Sequence, residues 1–172
     1  MTIATELLGD SFDRVREIVH ETVAGLSPEQ LAFQPDDAAN SIAWLVWHLT
    51  RIQDDHVSDL AERQQAWTED GWHQRFGLPF APEATGYAHT ARQVAAVHGI
   101  GPELLLGYHD DVHERTLVFL RGPGIHHLDR VVDTRWDPPV TAAVRLVSVV
   151  SDDLQHAGQA AYVRGLLERS GA

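Results

Sequence analysis

Residues 150–165, VSDDLQHAGQAAYVRG, combine carboxylate, imidazole and amide side chains with valines and alanines. In a helix, side chains four residues apart lie one above the other, so Asp152 and His156 are expected on one face, with Gln159 beside them. A carboxylate and an imidazole at this spacing are able to share a metal ion. Taken alone, such a pair is more often a solvated or ion-paired helix face, so the metal interpretation needs a third ligand.

His48 is the candidate for that third ligand. It lies in the apolar and aromatic segment SIAWLVWHL, where an imidazole buried without a partner would cost about 1–3 kcal/mol. A lone histidine of this kind is more often a core residue with a hydrogen-bond partner, but the pair on the later helix makes the ligand interpretation competitive. Two imidazoles and one carboxylate are a catalytic zinc set with one open position, and nickel, iron or manganese fit the same ligands.

Further polar side chains are placed to surround this set. Asp55 and His56 follow His48 by about two helical turns. Both are predicted to line the site, and either is an alternative metal ligand. Arg145 lies two turns before Asp152, where it is predicted to pair with that carboxylate or, as the alternative, to anchor an anionic group of a substrate.

A second imidazole pair, His109 and His113, also has the four-residue spacing. Because charged residues surround it in YHDDVHER, a solvated helix face is the favoured interpretation. The large aromatic side chains are predicted to be core or rim residues, and Trp44 is also expected to help shape a pocket around an open metal position. The others in this group are Trp47, Trp67, Trp72 and Tyr162.

The composition narrows the function classes. The chain has 172 residues, which suits one domain over residues 1–172. It contains no cysteine, which excludes disulfides, thiolate metal sites and a cysteine nucleophile. The net charge is −12 and lysine is absent, so the surface is expected to repel nucleic acid and anionic membranes. Phosphate-binding glycine loops and a Gly-x-Ser-x-Gly elbow are also absent from the sequence.

The start of the sequence, MTIATELLGDSFDRV, lacks the basic and apolar regions of a secretory signal. No apolar run approaches the ~18 residues that a membrane span needs. These features predict a soluble, cytoplasmic protein.

Four long amphipathic segments predict an all-α four-helix bundle, because their apolar residues recur every three or four positions. The predicted helices are residues 5–26, 41–63, 102–121 and 141–169. The connection 68–101 is rich in glycine, proline and aromatic residues, and a connection of this length is usually functional or carries short helices, for which TARQVAAV is a candidate. Residues 129–136 are predicted to be extended.

The fourth predicted helix is apolar on nearly every side, which indicates burial between neighbouring helices or at a subunit contact. Its small residues would permit close approach of a partner helix; they are Ala157, Gly158, Ala160 and Ala161. The chain is therefore expected to form a homodimer or, as the alternative, to place this helix at the centre of a monomer.

The segments WLVWHLTRIQDDH and DDLQHAGQAAYVRGLL resemble the DinB/YfiT-like superfamily of metal-binding four-helix bundles. Within it the chain is most similar to the branch of small actinobacterial proteins that contains mycothiol S-transferases. The resemblance covers nearly the whole chain, and the order of the helices agrees with it. It implies an up-down-down-up bundle with the long crossover between helices two and three.

In this superfamily one metal ligand comes from helix two and two come from the last helix, at positions i and i+4. The matching residues are His48, Asp152 and His156, followed by the signature Gly158-Gln159. The chain departs from the commonest pattern at Asp152, where histidine is usual. A carboxylate there is similar to the mycothiol-dependent isomerases of the superfamily, so the resemblance still implies a divalent metal, with zinc expected.

The resemblance also implies a reaction. The metal would lower the pKa of a low-molecular-weight thiol, mycothiol, which then conjugates to an electrophilic substrate in a detoxification step. Asp55 and Arg145 are the predicted catalytic residues, and the segment 68–101 is expected to cover the cleft. The residues predicted to line the cofactor site are Trp44, His56 and Gln159. Two alternatives stay open: a hydrolase that uses metal-activated water, and a metal-binding stress protein without catalysis.

Overall fold

The computed structural model describes residues 3–170 and confirms the all-α fold. Four long helices form the bundle: α1 (Ile3–Val23), α3 (Ile42–Leu60), α7 (Pro102–Arg121) and α8 (Ala142–Ser170). The connections carry the short helices α2 (Pro28–Leu31), α4 (Ala66–Glu69), α5 (Trp72–Phe76) and α6 (Ala91–Ala95). A 3₁₀ helix (Pro123–His127) follows α7, and the antiparallel strands β1 (Val131–Asp133) and β2 (Val140–Thr141) precede α8. The first two and last two residues of the predicted domain lie outside the described part of the chain.

Contacts between the long helices confirm the up-down-down-up order. Along α3 and α7, the residue numbers of the contacting positions increase together, so these two helices are parallel. In the pair α1 and α7, and in the pair α3 and α8, the residue numbers rise in one helix as they fall in the other, so these pairs are antiparallel. The diagnostic pairs are Thr50–His109 with Gln53–Thr116, Asp13–His113 with Arg16–Asp110, and His48–His156 with His56–Arg145. Because α3 and α7 are parallel, the crossover between them must return the chain along the length of the bundle.

Local sequence signals fix the helix ends within three residues of the predicted positions. Ser41 caps α3, its hydroxyl accepting a hydrogen bond from the backbone N–H of Trp44. Pro102 is the first residue of α7, a position whose backbone N–H makes no hydrogen bond within the helix, so proline loses nothing there. α1 ends at Val23, ahead of Gly25, whose φ of 78° is left-handed. The segment TARQVAAV contributes α6, and residues 129–136 include β1, as the sequence predicts.

Buried side chains form two clusters within the bundle. The larger cluster lies between the long helices and the crossover, and it contains four of the predicted core aromatics: Trp44, Trp47, Trp67 and Trp72. The smaller cluster lies near the hairpin and includes Phe12 and Leu146. Tyr162 is exposed, which makes it a rim residue.

A buried ionic network fastens the crossover to α3. Arg51 is fully buried, and its guanidinium donates to the carbonyl oxygen of Ala84 at 3.1 Å and to the side-chain oxygen of Gln65 at 2.8 Å. Asp54, beside it, accepts hydrogen bonds from the first backbone N–H groups of α4. These contacts hold the crossover segment around residue 84 against the middle of α3.

One face of α8 is open to solvent, so of the two expected arrangements the single chain does not show the helix enclosed between its neighbours. The exposed apolar side chains are Val144, Val147, Leu154 and Tyr162. α8 packs mainly against α1 and α3, and the face of α8 that points away from these two helices is the exposed one. A homodimer contact on this face stays a prediction. Within residues 3–170, no helix is both long and apolar enough to cross a membrane.

Candidate metal centre

The three predicted ligands lie together where α3 faces α8. His48 comes from the first half of α3, and Asp152 and His156 come from successive turns of α8. One ligand atom of each residue lies within 4.8 Å of the other two, and Oδ1 of Asp152 is 3.6 Å from Nε2 of His156. His48 is buried and the other two side chains are half-buried, so the cluster opens to solvent on one side.

Hydrogen bonds orient both imidazoles of the cluster. Nδ1 of His48 lies 2.6 Å from the carbonyl oxygen of Thr85, and Nδ1 of His156 lies 2.8 Å from Oε1 of Gln159. Because these oxygens only accept hydrogen bonds, each Nδ1 carries the hydrogen and each Nε2 keeps a free lone pair. Partners of this kind hold metal-ligating histidines in the correct tautomer.

Asp152 brings a carboxylate that lacks a donor. Its Oδ2 atom is buried and makes no hydrogen bond within the described part of the chain. A buried acceptor without a donor costs about 1–3 kcal/mol, and a cation between the three side chains would remove that cost. The donor set and the orphaned oxygen together fit a divalent metal ion.

The protonation state of His48 also suits a metal ligand. Burial lowers the pKa of His48, and the positive charge of a protonated His156 would lower it further, although the Thr85 carbonyl and Asp152 act in the opposite direction. The ring is therefore neutral near pH 7, which is the form that binds a metal.

The crossover covers the cluster at residues 85–89, as predicted for the longer segment 68–101. Gly86 has a φ of 94°, and a Cβ atom there would lie 2.6 Å from Nδ1 of His48, so the close approach requires glycine. The indole of Trp44 stacks on His48 with ring centroids 4.6 Å apart and donates a hydrogen bond to His89. Sequence reasoning missed Gly86 and His89, because only the folded crossover brings them to the site.

Arg145 does not pair with Asp152, contrary to the favoured sequence interpretation. Its Nη2 atom lies 3.3 Å from Oδ2 of Asp133, and its Nη1 atom donates to Nδ1 of His56 at 2.9 Å. The hairpin brings Asp133 against α8, so the guanidinium turns away from the metal ligands. Asp133 was missed because its segment was predicted only to be extended, with no partner.

His56 and Asp55 lie beside the cluster rather than in it. Because a guanidinium only donates, Nδ1 of His56 accepts from Arg145, and the hydrogen of the neutral ring is on Nε2. Burial, followed by the charge of Arg145, lowers the pKa of His56. Asp55 accepts a hydrogen bond from Gln65 at 2.7 Å and lies 3.5 Å from the His56 ring. Both side chains line a groove next to the cluster.

The second imidazole pair is buried, so the predicted solvated face is wrong. Nδ1 of His109 lies 3.0 Å from the hydroxyl of Thr50, and Nε2 of His113 lies 3.0 Å from a carboxylate oxygen of Asp13. The charged residues next to them in the sequence lie on other faces of α7, because each residue turns the helix by about 100°.

Asp153 is a buried carboxyl group that the sequence did not single out. It is fully buried, and neither of its oxygens has a hydrogen-bond partner in the described structure. Burial and then the charge of Asp152 raise the pKa of Asp153 well above its ordinary value. An acidic residue in an apolar helix gives no sequence signal of which way it points.

Comparisons with known proteins identify the fold and the family. The structure is similar to the crystal structure of a conserved protein from Enterococcus faecalis, with a TM-score of 0.90 and 32% sequence identity over 97% of this chain and 98% of that chain. No curated protein matches the sequence. The model of the mycothiol-S-transferase family matches residues 7–169, which include the three clustered side chains. The chain therefore belongs to the mycothiol-S-transferase family.

Proposed function

We propose that this protein is a metal-dependent S-transferase that joins mycothiol to an electrophile. The observation that carries the proposal is the open cluster of His48, Asp152 and His156 in a chain of this family. The chain has no cysteine, so the reactive sulfur must come from a co-substrate.

The cluster suits a divalent ion, and zinc is the proposed one. Two Nε2 lone pairs and one carboxylate are three protein ligands, the number at which catalytic zinc sites keep a coordination position open. When bound, such an ion supplies the positive charge that lowers the pKa of a thiol at neutral pH.

Residues around the cluster hold the ligands and exclude water. The Thr85 carbonyl and Gln159 keep the imidazoles in the ligating tautomer, and Trp44 shields one side of His48. We assign Gln159 and Trp44 to orientation of the centre, in place of direct contact with a cofactor.

The adjoining groove offers groups that would bind the body of the thiol. Arg145 and Nε2–H of His56 are hydrogen-bond donors there, and Asp55 is an acceptor. Burial and then the charge of Arg145 lower the pKa of His56, so the neutral ring donates a hydrogen bond without adding a second positive charge. These roles extend the predicted catalytic and binding assignments of the three residues.

The proposed reaction balances without an oxidant or reductant. With monochlorobimane as the electrophile, the sulfur forms a bond to the chloromethyl carbon and the carbon–chlorine bond breaks. Chloride leaves with the bonding electron pair, and the thiol proton passes to solvent. A conjugation of this kind would serve detoxification.

The test joins metal analysis to a panel of thiols. Purified protein is expected to hold one zinc per chain and to conjugate monochlorobimane with mycothiol, but less rapidly with bacillithiol or glutathione and not without a thiol. His156→Ala should lose both the zinc and the turnover, whereas the exposed His127→Ala should keep both.

Two outcomes would contradict the proposal. Turnover of an electrophile without added thiol would indicate a hydrolase instead. Protein without stoichiometric metal, combined with a His156→Ala variant that changes only stability, would show that the cluster is not a metal centre.

A further inference from the structure

We infer that the electrophile reaches the metal centre along an uncharged groove and has a neutral, apolar body; this inference rests on the proposed function. Two grooves flank α8: one lies between α8 and the connection 35–40 that precedes α3, and the other lies between α8, α3 and the hairpin. The uncharged groove has a volume of about 820 Å³, and the residues that line it include Leu45, Leu154, Gly158, Gln159 and Tyr162. The charged groove also has a volume of about 820 Å³, and the residues that line it include Ile52, His56, Asp133, Arg145 and Ser148. Both volumes are typical of small-molecule sites.

The three clustered side chains line neither groove, but residues about one helical turn from them along α3 and α8 line both. On α3, Leu45 lines one groove and Ile52 the other, three residues before and four residues after His48. On α8, Gln159 lines the uncharged groove just beyond the last ligand, and Ser148 lines the charged groove one turn before the first. A reactant in either groove would therefore lie about one helical turn from the ligand cluster.

Charge distinguishes the two grooves. Among the described residues that line the uncharged groove, Asp36 is the single one with a charged side chain. The charged groove presents Asp55, Asp133, Arg135 and Arg145. Hydrogen bonds to Gln65 and between the charged groups hold all four of these side chains in place before any ligand binds.

Transfer requires two different molecules to meet at one sulfur atom, so the two grooves have different occupants. Mycothiol carries many hydroxyl groups, and burying them without partners is unfavourable, so its body belongs in the charged groove with its fixed donors and acceptors. The uncharged groove is left for the electrophile. Its leucine and tyrosine walls favour a molecule with apolar surface and no net charge.

Gly158 offers a direct way to fill the uncharged groove. No heavy atom lies within 4 Å of the position that a Cβ atom would occupy there, and its backbone is helical, so a larger side chain enters open space without strain. Ala161 lies on the same helix, is exposed and does not line the groove. Gly158→Phe and Ala161→Phe therefore add the same ring inside and outside the groove.

The experiment measures both variants by steady-state kinetics and by binding of the neutral apolar fluorophore N-phenyl-1-naphthylamine. Gly158→Phe is expected to raise KM for monochlorobimane at least fivefold and to weaken fluorophore binding at least tenfold, with zinc content and KM for mycothiol unchanged. Ala161→Phe is expected to stay within twofold of the parent protein in every measurement.

Fluorophore binding needs no turnover, so it separates this inference from the proposed function. If no thiol supports conjugation, the proposed function fails, and the fluorophore still reports whether the groove takes an apolar molecule. Equal fluorophore binding by both variants and the parent would overturn the inference. So would light scattering that finds a dimeric parent and a monomeric Gly158→Phe, because the groove would then be covered by a second copy of the chain.

Discussion

Replacing His109 by glutamine is expected to make the protein less sensitive to acid. The His109 ring is fully buried, and its Nδ1–H donates to the hydroxyl of Thr50, which itself donates to the carbonyl oxygen of Val46. Its Nε2 atom is buried and has no partner within residues 3–170. Protonation would place a charged N–H there without an acceptor. Burial, together with the nearby His113, lowers the pKa of His109 to about 3.

The magnitude follows from the difference between the folded and unfolded pKa values of His109. The unfolded chain binds this proton with a pKa of 6.5, whereas the folded chain binds it only near 3. Between these values the unfolded state holds more protons, so the free energy of unfolding decreases as the pH falls. From pH 7.5 to pH 5.0 this one group accounts for about 2 kcal/mol, or about 4–8 °C in Tm for a chain of this size.

The assay is urea unfolding, followed by circular dichroism at both pH values. Four other histidines with lowered pKa values also reduce the free energy of unfolding as the pH falls, so the comparison between proteins isolates His109. These histidines are His48, His56, His89 and His113. His109→Gln should lose about 2 kcal/mol less than the parent on acidification, while exposed His127→Gln should lose as much as the parent. The lost Thr50 hydrogen bond lowers stability at both pH values and cancels. Equal acid sensitivity of His109→Gln and the parent would refute the reasoning.

Two further predictions concern side chains around the centre. Asp153→Asn should raise the free energy of unfolding at pH 7.5 by about 1 kcal/mol or more, because asparagine need not take up a proton on burial. The exposed control Asp37→Asn should leave the free energy of unfolding unchanged. Urea unfolding measures both variants. Gly86→Ala should weaken zinc binding about 10–100-fold in a chelator competition, because its Cβ atom would displace the loop that orients His48. Gly99→Ala is the control for backbone strain, because Gly99 also has a left-handed φ, of 70°, but has open space around it. Equal zinc affinities of Gly86→Ala and Gly99→Ala would contradict this prediction.

The sequence was sufficient for the parts of the site that depend on helical periodicity. The spacing of Asp152 and His156 places them on one face of any helix, and the resemblance to a known superfamily supplied His48 from a distant helix. Helix order and the long crossover followed from the same two sources. The structure confirms the fold and brings the three side chains together.

Contacts made by irregular segments were not predictable in this way. The partner of Arg145 is Asp133, which reaches it through a two-stranded hairpin whose register no periodicity encodes. The burial of His109 was missed because the charged residues beside it in the sequence occupy other faces of the helix. The types of the residues next to a position in the sequence are therefore a poor guide to its burial in a helix, because each successive residue is rotated by about 100° around the helix axis.

The topology of the bundle and the geometry of the candidate metal centre are linked through the crossover. Because α3 and α7 are parallel, the chain must travel back along the bundle between them, and the buried Arg51 network fixes where it passes α3. That path places the Thr85 carbonyl 2.6 Å from His48 and Gly86 against the ring. A shorter connection would require antiparallel neighbours and would leave His48 without the acceptor that sets its tautomer. The long crossover thus contributes to the site as directly as the two helices that carry the ligands.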